Sequence, residues 1–243
     1  MNFVRLLALP LLGLLGAHLA AAPASEPPPA VFRVLTLVPA DDLLMDGPRG
    51  VTRPIVASSN RFSPPLPLPT DRKIEFYRLV PAPAPKEPPR REIALRATVS
   101  QAPGAEPLLI LLPREGPPDP AVLRGPLRAL EIDVSAAAHP LGQLRVFNFS
   151  TREAALHLGA TISRIAPGRS VLVPLPEGAS PWLSTAILGT EGWQRISGGP
   201  LTLRPGYRMT LFMVDSPAAK NHDTAPGVSI FRVMDRPTPP AAP

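Results

Sequence analysis

The side chains able to do chemistry are few and scattered. Past the first 24 residues the histidines are His139, His157 and His222, separated by 18 and 65 residues. A zinc site built on histidine uses closely spaced pairs, and none is present. His222-Asp223 forms an adjacent acid–base pair, but in a stretch rich in Pro, Asn and Asp that reads as a solvated loop. The chain has no Cys, no Gly-x-Ser-x-Gly elbow and no Ser-x-x-Lys pair, so the common activated nucleophiles are missing. Asp41, Asp42 and Asp46 flank an apolar triplet but lack the alternating oxygen ligands of a calcium loop, and they read as a turn capping a strand. Glu131 and Asp133 share one strand face, about 7 Å apart by strand rise. A glycosidase could use such a pair; a solvent-facing strand edge is the simpler reading. Ser197-Gly198-Gly199-Pro200 reads as a turn rather than a phosphate cradle, because no helix follows it. Asn148-Phe149-Ser150 matches a glycosylation sequon within a strand-like segment. These residues assign no catalytic group, no metal ligand and no cofactor, and the expectation is a protein without its own catalysis, with a polysaccharide-modifying hydrolase whose site lies in the loops as the alternative class. Trp182 and Trp193 are the only tryptophans. Eleven residues apart in neighbouring strand-like segments, they form either an aromatic platform for a partner or part of the packing.

The elements that must position these groups are strands. Ile93, Leu95, Ala97 and Val99 alternate with Ala94, Arg96 and Thr98; Leu130, Ile132 and Val134 alternate with Glu131 and Asp133; Met209, Leu211 and Met213 alternate with Arg208 and Thr210. Period two places one set on a core face and the other toward solvent. Residues 31–38, 74–80, 108–112, 144–149 and 229–234 are apolar on both faces and suit central strands. Helix signals are sparse. Asp119-Pro120 caps one helical turn at 119–124. Ser150 and Glu153 form a capping box before 154–158, but two turns of helix are marginal alone. The competing expectation, a hairpin with a turn at 150–152 and Ala154, Leu156 and Leu158 inward, fits the strand-rich surroundings better.

The first 24 residues have their own character. Arg5 opens a run of Leu, Ala, Gly and Pro that ends in Ala20-Ala21-Ala22-Pro23-Ala24. That layout is a secretory signal peptide; a cut after Ala24 leaves Ser25 and is the preferred site, and a cut after Ala22, which leaves Pro23, is the alternative. The apolar run is too short to span a bilayer, and no later segment has 18 uninterrupted apolar residues. The expectation is an exported chain, periplasmic or extracellular, with no transmembrane segment once processed. Export without cysteine leaves the fold to its apolar core. The 37 Pro of 243 residues cluster in blocks between patterned segments. Net charge is +6, from 22 Arg and 3 Lys against 19 Asp and Glu. The arginines are dispersed and not interleaved with aromatics, which argues against nucleic acid. An envelope protein or an anionic polysaccharide is the partner that this balance permits.

The halves share an outline. Phe32-Arg33-Val34-Leu35 parallels Leu144-Arg145-Val146-Phe147, and the strong strand at 108–112 parallels 209–214. Within 144–170, Leu144-Arg145-Val146-Phe147-Asn148-Phe149-Ser150 is followed by Leu156-His157-Leu158-Gly159 and then Ala166-Pro167-Gly168 before another strand. This order resembles small exported bacterial immunoglobulin-like β-sandwich modules, the group that includes the accessory protein of alginate O-acetylation. The resemblance implies an exported sandwich without catalysis and supplies no substrate. The expected architecture is all-β: a signal peptide at 1–24, two tandem antiparallel β-sandwich (immunoglobulin-like) domains at 25–118 and 119–236, joined around 116–126, and a Pro-rich tail at 237–243.

Overall fold

The computed structural model describes residues 30–237, except 39, 41, 48–49, 85, 101–104, 115–125, 177–179, 203 and 216–226. The expected signal peptide, the expected helical turn at 119–124, Asp41, His222-Asp223, and nearly all of the expected linker and tail lie outside these residues. Within them there is no α-helix and there are sixteen strands. The first unit holds β1 (Val31–Thr36), β2 (Leu44–Asp46), β3 (Thr52–Pro54), β4 (Leu66–Pro67), β5 (Lys73–Val80), β6 (Arg90–Thr98), β7 (Pro107–Pro113) and β8 (Leu127–Asp133). The second holds β9 (Gln143–Phe149), β10 (Ala154–Leu158), β11 (Thr161–Ile165), β12 (Ser170–Pro174), β13 (Trp182–Gly189), β14 (Gly192–Pro200), β15 (Arg208–Asp215) and β16 (Val228–Asp235).

Each unit is a β-sandwich. The first pairs sheet β4-β1-β7-β8 with sheet β3-β2-β5-β6; the second pairs β12-β9-β15-β16 with β11-β10-β13-β14. Strand for strand, the second order repeats the first. The match reaches fine detail. In β5 the register slips after Phe76, and in β13 it slips after Thr185. Both are fourth residues of eight-residue strands, paired with nine-residue strands. A bulge disrupts the ladder locally and is a specific feature of a strand pair. Its recurrence at one position, within one strand order, makes the two units copies of a single fold. The register also aligns Arg33 with Arg145: Val34 lies beside Leu109, and Val146 beside Leu211.

The sheets are antiparallel except for one pair in each unit. β1 runs parallel to β7, and β9 parallel to β15. This pair separates each unit from the all-antiparallel immunoglobulin sandwich. Parallel neighbours need a long crossover, and here the intervening strands of the unit supply it. β8 pairs with β7 along its whole length, so Leu127–Asp133 belongs to the first unit, not to the start of the second as the sequence suggested. The units join at residues 134–142. The segment at 150–158 is turn plus strand, as expected, but not a hairpin with β9. β10 crosses to the opposite sheet and pairs with β11 and β13. Asn148 holds this arch: its amide donates to the carbonyls of Arg152 and Ile165, and its side-chain oxygen accepts from the Ser150 amide and hydroxyl. Ser150 is thereby committed to a local turn rather than a helix cap. Asn148 is fully buried and no glycan acceptor.

Each sandwich has its own core, around Val34, Phe76 and Leu111 in the first unit and around Val146, Leu156 and Leu211 in the second. A third core lies between them. Leu35, Leu108, Ile110 and Ile132 of the first unit pack against Phe147, Phe212, Val214 and Val233 of the second. The two central sheets therefore stack face to face, and the molecule has four sheet layers. This explains why residues 108–112 are apolar throughout: Leu109 and Leu111 face one core, and Leu108, Ile110 and Leu112 face the other. Phe147, Phe149 and Phe212 stack with ring centres 5.5–6.0 Å apart. Burying each such side chain contributes about 1.5–3 kcal/mol, so a dozen fix the two units against each other.

The alternation at Arg208 and Thr210 expected one solvated face, and the structure corrects it. Both side chains are buried, with Arg208 1% exposed. Arg208 pairs with Asp235 through Nε and Nη2, and donates to the carbonyls of Val134, Ser135 and His139. It ties the connection between the units to the second central sheet. A buried ion pair is tolerated only when its remaining donors are satisfied, and the three carbonyls do this.

Candidate functional site on an outer sheet

β13 alternates cleanly. Leu183, Thr185 and Ile187 are buried, while Trp182, Ser184, Ala186 and Leu188 point outward. The register extends this outward face across the sheet. Arg164, Ala155, Ala186 and Arg195 form one row over β11, β10, β13 and β14. Ile162, His157, Ser184 and Gly198 form the next. Trp193 stands beside Leu188, and Trp182 beside Pro200. Ile162 is 70% exposed, Trp182 54% and Trp193 40%. The face has a floor of small residues with apolar and cationic side chains around it. The small floor lets Arg164 reach across, placing its guanidinium 5.6 Å from the centre of the Trp193 ring. Arg195 lies against Gly198, where a Cβ would meet its guanidinium at 2.5 Å. Among the described residues no carboxylate pairs with Arg164 or Arg195.

Both tryptophans therefore share one exposed face, but they do not make one stacking platform. Trp182 is six residues from Leu188 along β13, about 20 Å by strand rise, and Trp193 is at the Leu188 end. They mark opposite ends of the face.

The equivalent face of the first unit shows what the fold alone requires. There Arg91 occupies the strand position that Trp193 holds in β14. Arg91 binds Asp46 at 2.7 and 3.2 Å and lies 4.3 Å above the Tyr77 ring. The Tyr77 hydroxyl donates to Asp46 at 2.8 Å, and Arg96 pairs with Glu75 at 2.7 Å. The Arg91 hydrogen bond, then that of Tyr77, holds the Asp46 carboxyl below its usual value. One outer face is closed by its own ion pairs. The other, on the same sheet of the same fold, leaves indoles and guanidiniums open.

The remaining sequence candidates have structural roles. Glu131 accepts from the Ser100 amide and hydroxyl, and Asp133 from the amides of Glu106 and Ser135. They cap neighbouring loops and do not converge on a substrate. Asp42 pairs with Arg78 at 2.9 Å. Ser197–Pro200 is not a turn but the end of β14. His157 is exposed on the outward face. His139, beside the turn at 136–138, is 1% exposed, with Nε2 3.1 Å from the Gln143 carbonyl and Nδ1 3.5 Å from Thr210 Oγ1. Burial, aided by the Arg208 charge, pushes its pKa down to about 4. Among the described residues no group of three His, Cys, Asp or Glu could hold a metal ion, and no helix is long and apolar enough to cross a membrane. The sequence reading missed Arg164 and Arg195. Their signal was the small Ala155 and Ala186, which period two places between them once the register is known. No family model matches the chain, and no curated protein matches it.

Proposed function

We propose that the protein is an exported, non-catalytic module of the bacterial envelope. It binds another protein through the outward face of sheet β11-β10-β13-β14. The observation that carries this reading is the contrast between equivalent faces. Asp46, Glu75, Arg91 and Arg96 close the face of the first unit, whereas Trp182, Trp193, Ile162, Arg164 and Arg195 stay open in the second. Trp and Arg are the side chains most enriched at binding hot spots. A flat face suits a protein surface better than a small ligand, which prefers concavity. The two open cations favour a partner with acidic residues around an apolar centre. The absence of catalysis is inferred from how the titratable groups are used: His139 is locked in its loop, and Glu131 and Asp133 are caps.

A second reading rests on Arg164 beside Trp193. An indole that stacks a sugar ring next to a guanidinium that pairs a carboxylate is the chemistry of an anionic polysaccharide site. The test is capture of envelope proteins by the wild type and by the double variant W182A/W193A, with a salt titration of binding to an acidic polysaccharide. A protein captured by the wild type and lost with the variant supports the first reading. Salt-sensitive polysaccharide binding with no such protein supports the second. Turnover of a glycan or ester, abolished by changing one carboxylate or histidine, overturns both.

A further inference from the structure

A second site lies where the two units meet. A cleft of about 620 Å³ opens between the turn at Asn60 and Arg61 of the first unit and the second unit's Arg204, Tyr207 and Arg232. Its apolar wall includes Met209 and Met234. Among the described residues no carboxylate lines it. Arg236 lies 5.0 Å above the ring of Tyr207, one of the lining residues. The one acidic residue next to it in sequence, Asp235, is turned inward onto Arg208.

These arginines stand on built positions. Arg61 closes a turn by bridging to Ser58, whose hydroxyl donates to Asn60 Oδ1 at 2.8 Å. Arg204 begins a turn closed by the Tyr207 amide, with Gly206 at φ 76°. Arg232 projects from β16, and its Nη2 donates to Ser197 Oγ at 3.3 Å, a neutral partner. On β5 and β6 of the first unit arginine is used differently: Arg78, Arg91 and Arg96 each pair with a carboxylate of the chain. Like charges gathered in a cleft with low-dielectric walls focus a positive potential. Guanidinium forks match phosphate and carboxylate oxygens in geometry as well as charge. The volume lies within the range of small-ligand sites.

We propose that this cleft binds a multiply charged oxyanion, with phosphate or carboxylate groups carried on a small body that rests against Met209, Met234 and Tyr207. The site exists only in the assembled molecule, because Arg61 comes from one unit and Arg204 and Arg232 from the other. The third core, between the central sheets, sets the spacing across the cleft.

Isothermal titration of the purified protein at low salt with pyrophosphate, and separately with citrate, tests this. Variant R204Q/R232Q removes two guanidiniums, and R61Q removes the one from the first unit. R90Q/R169Q removes two exposed charges elsewhere. Saturable binding, weakened at least about tenfold in R204Q/R232Q and also in R61Q but within about twofold in the control, is the expected result. Tighter binding of pyrophosphate assigns phosphoryl groups; tighter binding of citrate assigns carboxylates. Should R204Q/R232Q fail to give the wild-type melting profile, R61Q alone carries the comparison. No binding of either anion at millimolar concentration overturns the proposal, as does equal weakening in the control.

Discussion

Lowering the pH from 7 to 4.5 should destabilise the protein through His139 in particular. Its ring is buried and neutral at the junction of the units, and its folded pKa is pushed down to about 4 from an ordinary 6.5. The unfolded chain therefore binds a proton between pH 6.5 and 4 that the folded protein refuses. Stability rises with pH wherever the unfolded state holds more protons. The contribution of neutral His139 is complete above pH 6.5 and is lost as pH falls toward 4. At 1.36 kcal/mol per pK unit, the drop from 6.5 to about 4 gives about 3 kcal/mol over the whole window, most of it already gone at pH 4.5. The assay is urea unfolding at pH 7 and 4.5 for the wild type and for H139Q. Glutamine keeps an amide donor for the Gln143 carbonyl but cannot titrate. The variant should be less stable at pH 7 and should lose about 2–3 kcal/mol less than the wild type on acidification. Carboxylates contribute to both proteins alike, so the difference isolates the imidazole. Equal losses in the two proteins would refute the buried neutral imidazole.

R208M should cost about 3–5 kcal/mol in urea unfolding, because it leaves Asp235 buried without its partner; R208M/D235L should recover part of that loss. F212A should cost about 3–5 kcal/mol, and its unfolding should stay a single transition by tryptophan fluorescence, which reports only the second unit, and by far-UV circular dichroism, which reports both. Two separated transitions would contradict a shared core. W193A should change stability by less than about 1 kcal/mol while reducing partner capture, since its ring is 40% exposed. Terminal sequencing of the exported protein should find Ser25 first; retention of Met1 on the mature protein would contradict export.

How much of this was legible in the sequence depends on which physical quantity a residue reports. Strand identity was legible because period two is a local property. Leu130, Ile132 and Val134 announce a packed face, and 108–112 announces a strand covered on both sides. The conflict at Ser150–Glu153 was also resolvable, since a two-turn helix gains little from its cap. What covers a face was not legible. Arg208 and Thr210 alternate with Met209 and Leu211 in the pattern of a half-solvated strand, yet a second sheet stack buries them.

The sequence by itself determined an all-β chain, a repeated outline and a pair of tryptophans worth watching, because apolar periodicity and backbone propensity act within a few residues. Only the tertiary structure decided the rest. The parallel partners of β1 and β9 and the place of β8 in the first unit depend on pairings across the whole unit. The separation of Trp182 from Trp193, and the row that brings Arg164 to Trp193, depend on the register of four strands. The arginine cleft depends on the packing of one unit against the other. Residues far apart in sequence become neighbours through hydrogen-bond register and shared cores, and no local pattern encodes which distant strand supplies them.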